Sequence, residues 1–370
     1  MVAIKIAMIT PHYGYLNRGA ETFTTNIVNE LLKRNHHVDI YGMGQGKYVK
    51  HIPGVKIDKG IGKIWKNIIT KTQIEAICKK YIGIEPSLSH YSYYLSLTHR
   101  FENNSYDILW NNGEIFGELF CYNTRKKYNI PFLSTFHGNE SMMMITEAWL
   151  KPDLYSVLTP QYKQYLKNKV KGNIKCIPNG VDLEKYKKTV PLKKYGLDRL
   201  EHPIYLSTSA LTSKKRVELV IRAISKLKTG SFVFTSDGPE KQKLLDLCKK
   251  YLKDRHIYTG IVPFDELPKL YSSCDVYVNA SRSEGHSLAI LEAMACDLPV
   301  VSHQDENRRF TIEKAGYLTD VTDINKFSST LKKAGLTKWQ DRPRKQAEKF
   351  SWKKTVDSYE KEIQKILNKK

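Results

Sequence analysis

Several common signatures are missing from this sequence of 370 residues. Its six cysteines form no C-x-x-C pair, which argues against a disulfide framework and a zinc site. No apolar run approaches the roughly 18 residues of a membrane-spanning helix. The first residues, MVAIKIAMITPHYG, are too short and too strand-like for a signal peptide, so a reducing cytoplasm is the expected location. No D-x-D triplet occurs either.

Charge of one sign is in excess. Sixty lysines and arginines stand against 38 acidic residues, a formal net charge of +22. Such an excess favours anionic partners: nucleic acid, an acidic membrane surface or a phosphate-bearing substrate. The alternative is that lysine merely keeps the protein soluble. The length suffices for two domains, each with its own core.

The chain opens with a β-α-β pattern. Ala3–Thr10 is an apolar run of strand length, Glu21–Arg34 carries apolar residues at helical spacing, and His37–Tyr41 is a second strand. This order is typical of a doubly wound α/β domain. Because Gly14 and Gly19 have the wrong spacing, the connecting loop is not a G-x-G-x-x-G dinucleotide fingerprint.

A basic and aromatic section follows, over residues 41–104. Within it, Ile61–Cys78 has the pattern of an amphipathic helix with a lysine-rich face, including Lys63 and Lys66 beside Trp65. Two interpretations stay open, docking on an anionic membrane surface or a core-packed helix with a solvated face. For the tyrosine-rich segment Ser87–Leu97 two interpretations are also open, the lining of an acceptor groove or packing in the core.

Four further strands and a turn complete the first half. The strands are Ser105–Trp110, Ile130–Phe136, Leu154–Leu158 and Ile174–Cys176. His137 follows the second of them, and the carboxyl ends of parallel strands line the crevice in which open sheets bind ligands. A structural histidine is the alternative. In CIPNGVDLEKY, Pro-Asn-Gly predicts a turn, and Asp182 is placed to cap a short helix.

The second half repeats the strand and helix alternation. A strand at Pro203–Thr208 leads through SALTSKKRV to a helix at Glu218–Leu227. Later come the strand and turn FVFTSDGPE and the segment IYTGIVP with Val262. The turn is interpreted as structural. Ser281–Val301 then reads as loop, helix, break and strand.

Two glutamates frame this last helix. Its N-terminus is predicted near His286–Leu288, where unpaired N–H groups suit a phosphate. Glu284 lies in the loop before it, and Glu292 lies eight residues later, about one turn inside the helix. The two carboxylates are therefore placed to contact different parts of one ligand. By spacing alone, two solvated glutamates are the competing interpretation.

The stretch EGHSLAILEAMACDLPVV resembles the E-x7-E signature of the family 4 glycosyltransferases. Gly19-Ala20-Glu21, IPNGVD, Lys215 and SDGPE resemble further segments of that family, so the resemblance covers nearly the whole chain. It implies the α/β GT-B fold, two Rossmann-like doubly wound domains facing a central cleft. The expected domains are an acceptor-binding domain at 1–178, a nucleotide-sugar-binding domain at 179–350 and a C-terminal helix at 351–370 that crosses back to the first.

The resemblance also implies an activity, the retaining transfer of a sugar from a nucleotide diphosphate sugar to a hydroxyl, without metal or other cofactor. Glu284, His137 and Lys215 are the expected catalytic residues. Donor contacts are expected from the following residues: Gly19, Lys215, Val262, Gly285, His286, Ser287, Leu288 and Glu292. A glycan or lipid-linked molecule is the expected acceptor, and an anionic membrane surface is a further candidate partner. No nucleic acid is expected.

Four positions depart from the family pattern. Ala210 stands where an arginine is expected to clamp the diphosphate beside Lys215, so Lys214, Arg216 or a residue of the first domain has to substitute for it. The other departures are His286 for an aromatic residue, Ser287 for glycine and Asp297 for glycine. Arg308 and Arg309 are unusually placed cations, expected to form salt bridges or to assist phosphate binding.

Three other functions fit parts of this pattern. A sugar-nucleotide epimerase or a phosphorylase shares the GT-B fold, although no lysine-bound cofactor pattern appears. A nucleic-acid-binding protein would explain the charge, but the sequence has no zinc-finger spacing or RNP-like aromatic motif. A non-catalytic glycan-binding relative is disfavoured because Glu284, Glu292 and Lys215 are all present.

Overall fold

A computed structural model describes residues 2–14, 19–54, 88–103, 105–112, 115–137 and 150–369. The predicted helix at Ile61–Cys78, with Lys63, Trp65 and Lys66, lies outside the described residues. The chain divides into two compact units, one formed by Met1–Pro178 with Trp352–Lys370 and the other by Asn179–Ser351.

The first unit is built on a parallel sheet. Its strands are β1 (Lys5–Ile9), β2 (His37–Gly42), β3 (Val49–His51), β4 (Ile108–Asn111), β5 (Phe132–Phe136), β6 (Leu154–Val157) and β7 (Ile174–Cys176). They lie in the order β3-β2-β1-β4-β5-β6-β7. The described helices are α1 (Gly19–Lys33), α2 (Leu88–Arg100), α3 (Ile115–Tyr128), α4 (Pro160–Lys167) and the C-terminal α12 (Trp352–Leu367).

The second unit repeats this arrangement. Its strands are β8 (Ile204–Ser207), β9 (Ser231–Phe234), β10 (His256–Tyr258), β11 (Val276–Asn279), β12 (Val300–His303) and β13 (Gly316–Thr319), in the order β10-β9-β8-β11-β12-β13. Its helices are α5 (Val217–Ser225), α6 (Lys241–Tyr251), α7 (Leu267–Ser272), α8 (Leu288–Ala295), α9 (Glu306–Ile312), α10 (Ile324–Leu336) and α11 (Arg342–Ala347). The expectation of two Rossmann-like domains is confirmed.

Alternation along the strands explains why both faces of the second sheet are covered. On β9, Val233 packs into one apolar cluster, whereas Phe232 packs into the other. On β11, Tyr277 and Val276 divide in the same way. Because successive side chains point to opposite faces, an almost continuous apolar strand supplies both cores of a sheet with helices on each side.

The C-terminal helix α12 belongs to the first unit. The buried hydroxyl of Tyr359 lies 3.0 Å from Thr135 Oγ1 on β5 and 2.7 Å from Ser156 Oγ on β6. At the next residue, the carboxylate of Glu360 accepts hydrogen bonds from Arg34 and, at 2.8 Å, from His36 Nε2. These buried polar contacts fix the helix at one position on the sheet.

Most of the predicted strands and helices are confirmed. The tyrosine-rich segment, for which no element was predicted, forms α2, and its Tyr93 and Leu97 are buried in the core. The predicted helix after Asp182 is wrong. Asp182 Oδ1 accepts from the Glu184 and Lys185 amides at 3.0 Å, which closes a single turn. The turn does not continue because the amide of Thr189 donates to Ser272 Oγ at 3.0 Å instead.

Candidate active site

The strand order creates a crevice in the second unit. β8 and β11 are neighbours, but the chain leaves β8 towards β9 on one side and leaves β11 towards β12 on the other. The loops at their carboxyl ends diverge there, which is where open α/β sheets bind ligands. Loop 208–216 follows β8 and loop 280–287 follows β11, and the amide of Arg282 donates to the carbonyl of Lys214 at 2.9 Å.

Lys215 and Glu284 meet at this crevice. Lys215 Nζ donates to Glu284 Oε1 at 2.7 Å, and Asn279 Nδ2 lies 3.3 Å from the same oxygen. The Lys215 side chain is 29% exposed and that of Glu284 is 13% exposed, so the pair is open to a ligand on one side. Burial acts to raise the pKa of Glu284, but the ammonium of Lys215 outweighs it and the net shift is downward. Glu284 is therefore ionised at neutral pH.

Loop 280–287 is held in place through its backbone carbonyls. Arg216 donates to the carbonyls of Ala280 at 2.7 Å and Ser281 at 3.1 Å. From α9, the fully buried Arg308 donates to Ser281 O at 2.7 Å and pairs with Asp305. Three charge-assisted hydrogen bonds from these two arginines fix the backbone of the loop that carries Glu284.

The remaining α9 contacts distinguish the two adjacent arginines. Asn307 Nδ2 donates to the carbonyl of Glu284 at 3.1 Å. Arg309 pairs with Glu306 on the exposed side of the same helix, at 3.1 Å. The salt-bridge interpretation of Arg308 and Arg309 is thus confirmed.

Helix α8 begins where the sequence predicts. Ser287 is its N-cap residue, and the first intrahelical bond runs from the Leu291 amide to Ser287 O at 3.2 Å. The amides of Leu288, Ala289 and Ile290 therefore have no partner inside the helix, and Gly285 and Ser287 beside them are partly exposed. Unpaired amides at a helix N-terminus suit an anion.

His286 takes the place of an aromatic core residue. Its ring is 3% exposed and packs against Phe310 and Phe350, at centroid distances of 5.8 and 4.8 Å. Neither ring nitrogen has a hydrogen-bond partner among the described residues. Burial lowers the pKa of His286 to about 3, so the ring is neutral. Its backbone carbonyl accepts from Asn179 Nδ2 at 2.7 Å, so any donor contact of this residue has to come from its main chain.

We expect His286→Phe to stabilise the second unit by about 1–3 kcal/mol at pH 7, because it removes buried polar atoms that have no partner. The gain should grow on acidification. The unfolded histidine takes up a proton below about pH 6.5 while the folded one stays neutral to about pH 3, so the wild type loses stability as the pH falls. From pH 6.5 to 5 the gap should widen by about 2 kcal/mol.

Denaturant unfolding of both proteins at pH 7 and pH 5 measures this gap. His256→Phe is the control, because His256 is half-buried and its Nδ1 is bonded to Lys253 O at 2.7 Å. A gap between His286→Phe and the wild type that is equal at both pH values would contradict the assignment of a buried neutral ring.

Glu292 lies on the fifth position of α8, in aromatic surroundings. Its Oε2 accepts from the hydroxyl of Tyr271 at 3.1 Å, and the hydroxyl of Tyr186 is a second hydrogen-bond partner. Burial raises the pKa of Glu292, and these hydrogen bonds only partly offset it. The two glutamates of the motif thus differ, since one is paired with a cation and the other with tyrosines.

Tyr186 and Tyr271 were missed by the sequence analysis, together with Asn279 and Thr208. Tyrosines in apolar segments are normally core residues, and only the fold shows that their hydroxyls converge on Glu292. No pattern in the sequence links Glu292 to Tyr271, so this contact could not be predicted. Val262, a predicted donor contact, is 7% exposed and packs into the core, whereas Ile261 beside it is 75% exposed.

In the first unit, His137 and Gly19 lie at the corresponding crevice, where β1 and β4 are neighbours. Asn112, which follows β4, donates through Nδ2 to Ala20 O at 3.3 Å and to Thr24 Oγ1 at 2.7 Å. Its Oδ1 therefore faces His137 Nε2, 2.7 Å away, and must accept from it. His137 is thereby fixed as the Nε2–H tautomer with an unprotonated Nδ1, and burial lowers its pKa to about 4.

Among the described residues, nothing crowds Gly19. A Cβ at this first residue of α1 would meet no described atom within 4 Å, and the backbone of Gly19 is not in the left-handed region. The part of the chain that the structure describes contains no group of three or more His, Cys, Asp or Glu side chains that could hold a metal ion. None of its helices is long and apolar enough to cross a membrane.

Two family models match the chain. Glycosyltransferase Family 4 matches residues 17–185, and Glycosyl transferases group 1 matches residues 193–351. An uncharacterized glycosyltransferase of Methanocaldococcus jannaschii is 24% identical over 82% of this chain and 79% of its own. The sulfoquinovosyl transferase of Arabidopsis thaliana is 36% identical over 28% of this chain, and the match spans only 19% of that protein's length.

Solved structures share the fold. Sucrose-phosphate synthase of Thermosynechococcus elongatus superposes with a TM-score of 0.79 at 17% identity, over 100% of both chains. HepE of Anabaena, in complex with UDP-glucose, gives a TM-score of 0.68 at 15% identity, over 99% of this chain and 100% of its own. With the two family matches on either half of the sequence, these similarities identify the chain as a GT-B glycosyltransferase that belongs to glycosyltransferase family 4.

Proposed function

We propose that this glycosyltransferase moves a sugar from a nucleotide diphosphate sugar, UDP- or GDP-linked, to a hydroxyl of a glycan acceptor, with retention of the anomeric configuration. One observation carries the proposal. A lysine and a carboxylate meet at 2.7 Å at the crevice between β8 and β11, beside the unpaired amides of α8. Cation and amides suit a diphosphate, and the carboxylate suits the sugar next to it.

The charge that develops on the leaving nucleoside diphosphate is assigned to Lys215 and the amides near Ser287 and Leu288. These donors are held in advance by the fold, so they stabilise charge without reorganisation when the bond breaks. Glu284 is assigned to the hydroxyls of the donor sugar and to the positive charge at the anomeric carbon. Because Glu284 is ionised and its loop is held by three side chains, its position is set before the donor arrives.

Two further residues bind the donor in this proposal. Glu292 accepts hydrogen bonds from the ribose hydroxyls. His137 contributes its unprotonated Nδ1, which is an acceptor for a hydroxyl of the donor sugar, because Nε2–H is occupied by Asn112. A neutral ring is suited to this task at pH 7, since the pKa of His137 is lowered to about 4 by burial.

The missing arginine at Ala210 leaves one cation position to fill. Arg216 is poorly suited, because its guanidinium already donates to two carbonyls of loop 280–287. Lys214 is exposed and adjacent to Lys215 in the same turn. We therefore favour Lys214 over Arg216 as the second cation near the diphosphate.

The proposed reaction uses no side-chain base and no metal ion. The bond from the anomeric carbon to the terminal phosphate oxygen breaks, and that oxygen keeps the electron pair. The acceptor oxygen bonds to the anomeric carbon on the same face, and its proton passes to the leaving phosphate. A lipid-linked acceptor at a membrane surface stays a prediction of the basic segment 47–80, most of which lies outside the described residues.

A donor screen tests the proposal. Purified protein is incubated with each common UDP- and GDP-sugar, and the released nucleoside diphosphate is measured. A Glu292→Ala variant is assayed in parallel as the control. Release from one donor by the wild type, lost in the variant, supports the proposal and identifies the sugar. If the protein neither binds nor hydrolyses any of these donors, the proposed function is wrong.

Gly19→Ala tests the approach of a ligand to the start of α1. The described residues leave room for the methyl group, and alanine is the better helix former, so the melting temperature should stay equal or rise slightly. If the donor lies against the backbone of Gly19, the methyl group takes the space that the donor needs. The value of kcat/KM should then fall by about tenfold or more, which corresponds to roughly 1.4 kcal/mol. Unchanged kcat/KM in the variant would remove Gly19 from the donor site.

A further inference from the structure

A chain of hydroxyl groups leads through the second unit to Glu292. Tyr277 on β11 lies 3.1 Å from Thr208 Oγ1 at the end of β8, and Thr208 Oγ1 lies 3.2 Å from the hydroxyl of Tyr271 on α7. The hydroxyl of Tyr271 in turn lies 3.1 Å from Glu292 Oε2 on α8. Four secondary-structure elements are thus joined by three consecutive hydrogen bonds.

The direction of these bonds follows from the acceptor at the end. The hydroxyl of Tyr271 donates its single proton to Glu292 Oε2. Tyr271 must then accept from Thr208, and Thr208, whose proton is used, must accept from Tyr277. Every donor in the chain therefore points towards Glu292, and such aligned hydrogen bonds strengthen one another in a buried environment.

Burial makes this arrangement rigid. Tyr271 and Tyr277 are fully buried, and their rings meet edge to face at a centroid distance of 5.9 Å. Tyr186 is also buried and packs edge to face on Tyr271 at 6.2 Å. A tyrosine hydroxyl on a packed ring has almost no freedom to follow its partner, so the carboxylate must adopt the position that the rings dictate.

We propose that Tyr271, oriented by Thr208 and Tyr277, is a positioning residue that fixes the Glu292 carboxylate for the hydroxyls of a nucleotide ribose. This inference rests on the proposed function and adds the residue that determines selectivity at that site. With one carboxylate oxygen held by Tyr271, a nucleotide with ribose hydroxyls meets an acceptor already in place. A nucleotide without them leaves that buried acceptor unpaired, which is penalised.

Calorimetric titration tests the inference with four probes: UDP, GDP and the 2′,3′-dideoxy form of each. The wild type should bind one ribonucleotide about 100-fold more tightly than its dideoxy form. In Tyr271→Phe this ratio should fall to about tenfold, while the affinity for the dideoxy form stays the same. Thr208→Val, which breaks the chain one step away from Tyr271, should lower the ratio in the same direction.

Tyr205→Phe is the matched control. Tyr205 is equally buried and its hydroxyl donates to Leu331 O at 3.2 Å, but it packs in the other apolar cluster of the unit. This variant should keep the wild-type ratio. Equal weakening of both nucleotide forms in Tyr271→Phe would indicate a merely structural role, and an unchanged ratio in both Tyr271→Phe and Thr208→Val would overturn the inference. If the wild type binds none of the four probes, the proposed function itself fails.

Discussion

Replacing Glu284 by glutamine is expected to lower the rate of sugar transfer by about 10²–10³-fold, comparable to the loss of one preorganised electrostatic group in other enzymes. Glutamine keeps the size of the side chain and a hydrogen-bonding oxygen, so the loop should hold its position. What is lost is the negative charge that we assign to the anomeric carbon. The effect should therefore appear in kcat more than in KM.

The same substitution is expected to tighten the binding of the free nucleoside diphosphate, by about three- to tenfold, which corresponds to roughly 0.7–1.4 kcal/mol. In the ligand-free protein Lys215 is paired with Glu284 at 2.7 Å, so a diphosphate competes with this carboxylate for the same ammonium. Removing the charge of Glu284 releases Lys215 and also removes a like charge near the phosphates. Opposite changes in transfer rate and product affinity are a signature that a general loss of structure cannot produce.

Initial rates with the donor found in the screen, and calorimetric titration with UDP or GDP, measure the two effects. Glu240→Gln is the control, because Glu240 forms a surface pair with Lys243 at 2.6 Å in the same unit and should change neither quantity. Weaker nucleotide binding in Glu284→Gln would contradict the competition between carboxylate and diphosphate. An unchanged kcat would remove Glu284 from the catalytic residues.

Much of the fold could be predicted from the sequence, because the strands are short apolar runs and the helices carry apolar residues at helical spacing. The loops that follow β8 and β11 carry Lys215 and Glu284, 69 residues apart. Their meeting is predictable from topology, since a doubly wound order makes these two strands neighbours at the point where the chain reverses. The start of α8 at Leu288 likewise follows from local pattern.

Long-range polar contacts could not be predicted in this way. The hydroxyls of Tyr186 and Tyr271 converge on Glu292, but in the sequence both tyrosines have the pattern of core residues. Arg216 and Arg308 hold the same carbonyl from two distant segments. Such contacts depend on side-chain direction and on distances between elements, which periodicity does not contain.

The departures from the family pattern have local explanations in the structure. His286 packs as an aromatic ring, and Ser287 takes the N-cap of α8. Asp297 follows the end of α8 with a φ of 67°, in the left-handed region that favours glycine and that aspartate tolerates better than most residues. These three departures therefore leave the backbone of the motif intact, and Ala210 alone removes a charged group.

The second large effect is expected in the first unit. Glu360→Ala should lower its free energy of unfolding by about 3 kcal/mol, because it leaves buried polar groups without their charged partner. Glu360 is 3% exposed and pairs with Arg34 and with His36. His36 cannot turn to another partner, since its Nδ1 already accepts from the Ile4 amide at 3.1 Å. The substitution should therefore also weaken the neighbouring contacts of Tyr359, which attach α12 to the first unit.

The helix provides its own control. Asp357, one turn before Glu360, also pairs with Arg34, at 2.8 Å, but its side chain is 54% exposed. Because a solvated ion pair contributes little, Asp357→Ala should cost less than about 1 kcal/mol. Hydrogen exchange of the β1 and β2 amides reports the stability of the first unit separately from the second. If both variants accelerate exchange equally, the prediction is wrong, because burial then does not determine how much each carboxylate stabilises the first unit. If only Glu360→Ala does so, the buried pairing of Glu360 with Arg34 and His36 holds the C-terminal helix on the first unit. A truncation before residue 352 should then destabilise that unit at least as much.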